Sequence, residues 1–285
     1  VWTGKGAERG ILIKGGESLE TAHKIDTVVF DKTGTLTKGI PEVTDIQPGP
    51  GFTADGVLAL AGSAEKDSEH PLGQAIVRKA LESGLALAAV SEFRALEGLG
   101  VEAVIEGRAV MVGSARLLNQ SGIDAGGLAI YVEELAREGK TSVFLVVDGR
   151  AAAFFAIADV LKEGAGPAVE KLKAMSLDII MLTGDDRRTA RAIAKSAGIE
   201  QVIPEVMPGE KAGVIRKLQA EGKRVAMVGD GINDAPALVQ ADIGIALGTG
   251  TDVAMESSDI TLIAGDVGGV VSAIELSRRT IRTIR

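Results

Sequence analysis

The chain has 285 residues, of which 46% are hydrophobic and 25% charged, with a formal net charge of −8. This is the composition of a globular protein with one large or two ordinary domains. The acidic balance argues against binding to the phosphate backbone of nucleic acid. The lack of cysteine excludes disulfides and thiolate metal sites. No apolar run reaches the roughly 20 residues of a membrane-spanning helix, and no signal peptide is recognisable.

The pattern along the first half of the chain predicts one buried strand and then an α+β block. Val28, Val29 and Phe30 form a β-branched and aromatic run, typical of a buried parallel strand that ends at Asp31. Periodicity then predicts two amphipathic helices, strands with a tight hairpin at 106–107, two more helices, and a second hairpin at 148–149. These helices lie at 53–66, 72–84, 115–120 and 128–138, and the strands at 43–46, 92–96, 101–105, 109–112, 142–147 and 151–158.

After residue 158 strands and helices alternate strictly, which predicts a doubly wound parallel sheet. The strand ending at Asp31 has the character of that same sheet. We therefore expect an α/β domain made of residues 1–41 and 158–285, interrupted by an inserted α+β domain with an antiparallel sheet at 42–157.

Asp31 is the candidate nucleophile. An aspartate at the carboxyl end of a buried strand faces the crevice in which open α/β sheets bind ligands. A carboxylate there can attack phosphorus and form an acyl phosphate, and Lys32, Thr33 and Thr35 can help to hold the oxyanion. An ordinary turn after a strand is the alternative for a bare Asp–Gly pairing.

Two other predicted strands end in acidic motifs, Thr183-Gly184-Asp185 and Gly229-Asp230-Gly231-Ile232-Asn233-Asp234. Three parallel strands that deliver aspartates to one edge would form an acidic pocket, and carboxylate oxygens suit Mg²⁺. Lys211 can reach a phosphoryl group as a point charge. Taken singly, each motif is also compatible with an ordinary turn, and Lys211 with a surface lysine.

The string Asp-Lys-Thr-Gly-Thr-Leu-Thr at 31–37, with the two acidic motifs, resembles the haloacid-dehalogenase superfamily and, within it, the P-type ATPases. The resemblance implies ATP and Mg²⁺ as cofactors and Asp31 as the phosphorylated residue. It also implies a catalytic motif of Thr183, Gly184 and Asp185, with Thr183 and Lys211 stabilising the phosphoryl group. Asp230 would be the principal Mg²⁺ ligand together with Asp31 and the Thr33 carbonyl, supported by Asn233 and Asp234. Asp186 departs from the asparagine expected after Thr-Gly-Asp.

Thr33 discriminates within the superfamily, whose phosphatases carry a second aspartate at this position as general acid and base. Loss of that base should leave the acyl phosphate long-lived, because such catalysis contributes about 10²–10⁴-fold.

The inserted block resembles the nucleotide-binding domain of heavy-metal P-type ATPases. Its Ser-Glu-His-Pro-Leu string and nearby positions imply nucleotide contacts from Glu65, His70, Pro71, Gly98, Gly100 and Gly113. Ser114 replaces an expected asparagine. A lone histidine at a helix start is more often a capping or surface residue than a ligand, and the glycines taken alone are turn residues.

The resemblance implies the catalytic part of a heavy-metal exporting ATPase, copper(I) rather than zinc or cadmium. Its partners would be ATP and the actuator domain and transmembrane metal-binding helices of the parent chain. We expect a monomeric fragment and a cytoplasmic domain of an integral membrane protein. The alternatives are a zinc/cadmium pump fragment, a free-standing phosphatase of this fold, or a non-catalytic nucleotide-binding regulator.

Overall fold

The computed structural model describes residues 10–231, 233–248 and 252–284. Contacts divide the chain into two units. Unit 1 comprises the described residues of Val1–Gly39 and Leu161–Arg285, and unit 2 comprises Ile40–Val160. The domain boundaries predicted from the sequence, after residues 41 and 157, lie a few residues from these divisions.

Unit 1 is built on a seven-stranded sheet in the order β1-β13-β12-β11-β2-β9-β10. Its pairings are parallel except for the antiparallel pair of β1 and β13 at one edge. The strands are β1 (Ile11–Ile13), β2 (Thr27–Asp31), β9 (Asp178–Leu182), β10 (Gln201–Ile203), β11 (Val225–Gly229), β12 (Ile243–Leu247) and β13 (Ile260–Leu262).

Helices cover both faces of this sheet, as expected for a doubly wound fold. They are α1 (Gly16–His23), α6 (Ala165–Ala174), α7 (Arg187–Ser196), α8 (Lys211–Ala220), α9 (Ala235–Gln240), α10 (Asp252–Ser257) and α11 (Gly268–Ile284). Val28 and Phe30 of β2 face a core formed with α1, α6, α7 and α11. Val29 faces the opposite core with α8 and α9. All five residues of β2 are buried, so this strand lies at the centre of the unit.

Unit 2 is built on an antiparallel six-stranded sheet in the order β3-β8-β7-β6-β5-β4. Helices α2 and α3 pack on one face, and α4 and α5 border the core on the other. The elements are β3 (Thr37–Pro48), α2 (Ala54–Ala64), α3 (Pro71–Glu82), β4 (Val90–Leu96), β5 (Gly100–Ile105), β6 (Arg108–Gly113), α4 (Ala115–Gln120), α5 (Ala129–Arg137), β7 (Thr141–Val147) and β8 (Arg150–Leu161). The fold class predicted from the sequence is confirmed.

Both predicted hairpins are present. Glu106 and Gly107 join β5 to β6 with φ of 51° and 77°, and Asp148 and Gly149 join β7 to β8 with φ of 50° and 75°. Two successive left-handed residues are the signature of the tight turn that matches strand twist.

The structure differs from the sequence prediction at the edges of the sheets. β3 spans Thr37–Pro48, whereas the pattern predicted only 43–46. Pro41 lies inside it, which is tolerated because β3 is an edge strand. The short strands β1 and β13, with three residues each, were not predicted. Within the described residues, none of the helices has the length and apolar character needed to span a bilayer.

Candidate active site

Three neighbouring strands deliver the acidic motifs to one edge of the unit 1 sheet. β2 lies between β11 and β9, with Phe30 opposite Val228 and Asp31 opposite Leu182. The Thr183 motif and the Asp230 motif therefore begin just beyond the strands that flank Asp31. The predicted convergence of the three motifs is present in the fold.

Asp31 is buried in an ion pair with Lys211. Asp31 is only 5% exposed, and its Oδ1 accepts a hydrogen bond of 2.6 Å from Lys211 Nζ. The same Nζ donates to Oδ1 of Asp234 at 2.7 Å. One ammonium thus serves two buried carboxylates, which leaves the trio with one excess negative charge.

Burial and this charge balance shift the pKa values of both Asp31 and Lys211. Burial, reinforced by the negative charge of Asp234, raises the pKa of Asp31 to about 6 against the opposing attraction of Lys211. For Lys211, burial disfavours the ammonium, but the two carboxylates outweigh it and raise its pKa. Lys211 therefore stays charged across the neutral range and is available as a fixed cation beside Asp31.

Asp234 is held by the close approach of its own loop to β11. A Cβ on Gly229 would come within 2.7 Å of Asp234 Cβ and 2.9 Å of its Cγ, so only glycine fits there. The Asp230 N–H donates to Asp234 Oδ2 at 3.3 Å. The backbone N–H and the side-chain amide of Asn233 donate to Asp230 at 3.1 and 3.0 Å. The predicted metal-binding residues of this loop thus form one hydrogen-bonded unit.

The Thr183 motif closes the other side of Asp31. Thr183 is buried, and its Oγ1 accepts a 3.1 Å hydrogen bond from the N–H of Asp185. Asp185 Oδ2 lies 3.2 Å from Lys32 Nζ, so the buried Lys32 is paired with this motif. Gly184 is exposed. Asp186 caps α7 by accepting from Arg188 and Thr189 at 2.8 and 3.2 Å, which accounts for an acidic residue there.

The turn after Asp31 runs over Lys32–Leu36 and contains Gly34 at φ 73°. Thr33 is exposed on it, whereas Thr35 is fully buried. The Thr35 hydroxyl has no hydrogen-bond partner among the described residues. Two residues that the sequence did not single out hold this turn: Thr37 Oγ1 donates to the Lys32 carbonyl at 2.9 Å, and Lys162 Nζ to that of Gly34 at 2.6 Å. No sequence signal distinguishes them, because each acts through a backbone carbonyl.

The donor set at this edge fits Mg²⁺. Nowhere in the described ranges do three or more His, Asp or Glu side chains form a ready-made metal cage. Mg²⁺ does not need one, because it is usually bound through one or two carboxylates, waters and substrate phosphate. The excess negative charge of Asp31 and Asp234 over Lys211 is the feature that favours an added cation.

In unit 2, Glu65 and His70 lie at the junction of α2 and α3. Glu65 is buried, and burial raises its pKa against a hydrogen bond from Ser68 and the charge of His70. A Cβ on Gly73 would lie 2.8 Å from Glu65 Cδ, so glycine makes room for this carboxylate under α3. His70 is exposed and caps α3, its Nδ1 accepting from Leu72 N–H at 3.3 Å. Pro71 is the first residue of that helix.

Gly100 and Gly113 face each other across β5 and β6. A Cβ on Gly113 would lie 2.7 Å from Leu117 Cδ2 and 3.1 Å from Gly100 Cα. Gly98, at φ 67°, belongs to the turn that enters β5. Both glycines of the pair thus have a packing reason to be there. Among the described residues, no hydrogen bond joins these glycines to Glu65 or His70, so the structure brings the two halves of the predicted nucleotide site into one unit without linking them directly.

Fold and site together define an α/β protein with an aspartate–lysine centre at the carboxyl edge of a parallel sheet. A family model described as haloacid dehalogenase-like hydrolase matches residues 25–242, and a second of the same description matches residues 212–274.

Two curated relatives are similar to this chain. The "Probable copper-exporting P-type ATPase V" of Mycobacterium tuberculosis is 54% identical to it over 285 residues. The "Copper-exporting P-type ATPase" of Bacillus subtilis is 50% identical to it over 283 residues. They match 100% and 99% of this chain, which spans only 37% and 35% of their lengths.

Two solved structures extend the comparison. A zinc-transporting PIB-type ATPase in the E2.Pi state matches with TM-score 0.92 and 40% identity, over 100% of this chain and 46% of that one. The catalytic domain of the CPx-ATPase CopB-B matches with TM-score 0.69 and 32% identity, over 96% of this chain and 98% of that one. The chain belongs to the haloacid dehalogenase-like hydrolase family and, within it, to the catalytic regions of heavy-metal P-type ATPases.

Proposed function

We propose that this chain binds ATP with Mg²⁺ and transfers the γ-phosphoryl group to Asp31. The observation that carries the proposal is the buried Asp31 carboxylate at the end of β2, fixed by Lys211 within 2.6 Å. A buried carboxylate beside a permanent cation is suited to receive a phosphoryl group, because the cation remains to neutralise the product.

In this reaction an oxygen of the ionised Asp31 carboxylate attacks the γ-phosphorus. An O–P bond forms, the bond from phosphorus to the β,γ-bridging oxygen breaks, and ADP leaves with that electron pair. Lys211 and the Thr183 hydroxyl bind the transferred oxygens, while Lys32, paired with Asp185, keeps the two motifs together.

Mg²⁺, when bound, would neutralise phosphate charge, and Asp31, Asp230 and the Thr33 carbonyl are the proposed ligands, supported by Asn233 and Asp234.

Unit 2 (Ile40–Val160) is proposed as the nucleotide-binding domain, which the sequence predicts as an insertion at 42–157 between the two parts of the phosphorylation domain at 1–41 and 158–285. Glu65, His70, Pro71, Gly98, Gly100 and Gly113 would contact the nucleotide. The buried Glu65 carboxylate has an oxygen, Oε2, without a hydrogen-bond partner among the described residues. A nucleotide amino group is the kind of donor that would satisfy it.

For the parent protein we propose export of a heavy-metal cation, with copper(I) first, since the curated relatives at 54% and 50% identity carry that name. Zinc is the second candidate, because a zinc-transporting ATPase matches the whole chain at 40% identity. The partners would be an actuator domain and membrane helices of the parent chain, with this fragment monomeric on the cytoplasmic side. Phosphorylation of the parent protein in vesicles, measured with copper(I) or with zinc as the only metal, decides between these two metals as the exported cation.

The proposal is tested by incubating the chain with γ-labelled ATP and Mg²⁺ and mapping the acid-stable label. Label on Asp31, lost in Asp31→Asn, is the expected result. Label on a serine, or label that persists in Asp31→Asn, would refute the assignment. Fast hydrolysis of small phosphate esters would instead favour a free-standing phosphatase.

A further inference from the structure

Lys162 lies directly after β8, where the chain re-enters unit 1, and it is fastened to the turn that follows Asp31. Its Nζ donates to the Gly34 carbonyl at 2.6 Å and to the Gly265 carbonyl at 3.0 Å. Its backbone N–H donates to the Leu36 carbonyl at 2.8 Å. Lys162 therefore donates two hydrogen bonds to the turn at Lys32–Leu36 and one to the loop before α11.

These bonds, with that of Thr37, hold alternate carbonyls of the turn. The Lys32 carbonyl accepts from Thr37 Oγ1 at 2.9 Å, and those of Gly34 and Leu36 accept from Lys162. Thr33, the proposed donor of a carbonyl to Mg²⁺, lies between two carbonyls that are held. An ammonium bound to a carbonyl is a charge-assisted donor and is stronger than a neutral one.

The turn is not a regular helix. Gly34 is left-handed at φ 73°, and Thr33 has ψ 123°, outside the helical region. Gly265, on the other side of the ammonium, is also left-handed at φ 65°. The Lys162 side chain thus joins two glycine turns of the same unit, which leaves its ammonium little freedom to move away from Gly34.

We propose that Lys162 is a positioning residue for phosphoryl transfer: by holding the Gly34 carbonyl it fixes the Thr33 backbone relative to Asp31 and to Mg²⁺. The inference rests on the proposed function. Because a displacement of about 1 Å in a reacting geometry can cost on the order of 10²-fold in rate, loosening this turn should slow the chemical step without weakening ATP binding.

The experiment compares three variants of the whole chain. Lys162→Met removes the ammonium and keeps most of the stem, Lys162→Arg restores a cation, and Lys171→Met removes an exposed lysine of α6 as the matched control. In Lys162→Met we expect the rate of Asp31 labelling to fall about 10- to 100-fold, while the Kd for ATP measured without Mg²⁺ changes less than about twofold. The Mg²⁺ concentration for half-maximal labelling should rise. Lys162→Arg should recover most of the rate, and Lys171→Met should match the wild type.

Hydrogen exchange of the peptide covering residues 32–37, measured without nucleotide or metal, reports how readily the turn opens, independently of activity. It should speed up in Lys162→Met but not in Lys171→Met. Unchanged exchange there, or a labelling rate equal to that of the wild type, would overturn the inference. If the wild type takes up no label, the proposed function fails, and the exchange data alone then decide whether Lys162 holds the turn.

If Lys162→Met does not fold, Lys162→Gln, which keeps a shorter donor, replaces it. Its exchange at 32–37 should then lie above the wild-type value, and a value equal to the wild type would count against the proposal.

Discussion

The charge balance beside β2 predicts that Asp31→Asn stabilises unit 1 at neutral pH. The folded-state pKa of Asp31 is about 6, against an ordinary value of 3.8. Because it is raised, the folded state holds the proton more tightly than the unfolded chain, so stability falls as pH rises from about 4 to about 6 and stays low above that. The interval of about two pH units corresponds to roughly 3 kcal/mol. An asparagine keeps the shape and escapes this loss.

The wild type and Asp31→Asn should therefore have about the same free energy of unfolding near pH 4. At pH 7 that of Asp31→Asn should be higher by about 3 kcal/mol. Hydrogen exchange at increasing urea concentration, followed on the peptide that carries β2, measures the unfolding of unit 1 separately from unit 2. EDTA must be present throughout, because a bound cation would favour the ionised carboxylate.

Glu170→Gln, which neutralises an exposed carboxylate on α6, is the control and should change stability little at either pH. If Asp31→Asn is no more stable than the wild type at pH 7, or if its advantage is equally large at pH 4, the account of the site as an excess of buried negative charge is wrong.

Three further results are expected. His70→Gln should weaken ATP binding by about 1–2 kcal/mol in titration calorimetry if the imidazole makes one stacking or hydrogen-bond contact, and an unchanged affinity would leave His70 as a helix cap. Gly113→Ala should lower the unfolding free energy of unit 2 by about 1–3 kcal/mol in urea melts, because its Cβ would crowd Leu117. Thr33→Asp should raise turnover of p-nitrophenyl phosphate by supplying a general base; no change would mean that the exposed Thr33 position does not reach the attacking water.

The sequence predicted the centre of the fold well because the signals there are strong. The β-branched and aromatic run Val28–Phe30 before Asp31 is typical of a buried strand that ends at a polar edge, and strict alternation after residue 158 leaves few topologies. Three strands with acidic ends then meet at one edge by the geometry of a parallel sheet. The strands β1 and β13, with three residues each, were not predicted, and Pro41 hid most of β3.

The chemistry of the site was predicted less completely than its location. The motifs identify Asp31 and Lys211, but not that Asp234 shares the same ammonium or that Lys32 pairs with Asp185. These pairings depend on which of several carboxylates a long side chain meets after folding. The importance of Gly229 is similar, because it follows from the distance to Asp234. Lys162 acts on a backbone carbonyl, and no side-chain pattern marks such a partner.

The chain leaves unit 1 along β3 and returns along β8, and these two strands are hydrogen-bonded neighbours. If the chain is cut at the unit boundaries, before Ile40 and after Val160, the two new ends of unit 1 therefore lie next to each other. The two ends of unit 2 do the same. A gene lacking residues 40–160 can be rejoined by a hairpin turn, since closing so short a gap costs little chain entropy. The excised segment has its own two ends side by side and can be circularised or transplanted in the same way. Unit 2 can therefore be removed or exchanged as a whole domain while the strand that carries Asp31 is left unchanged.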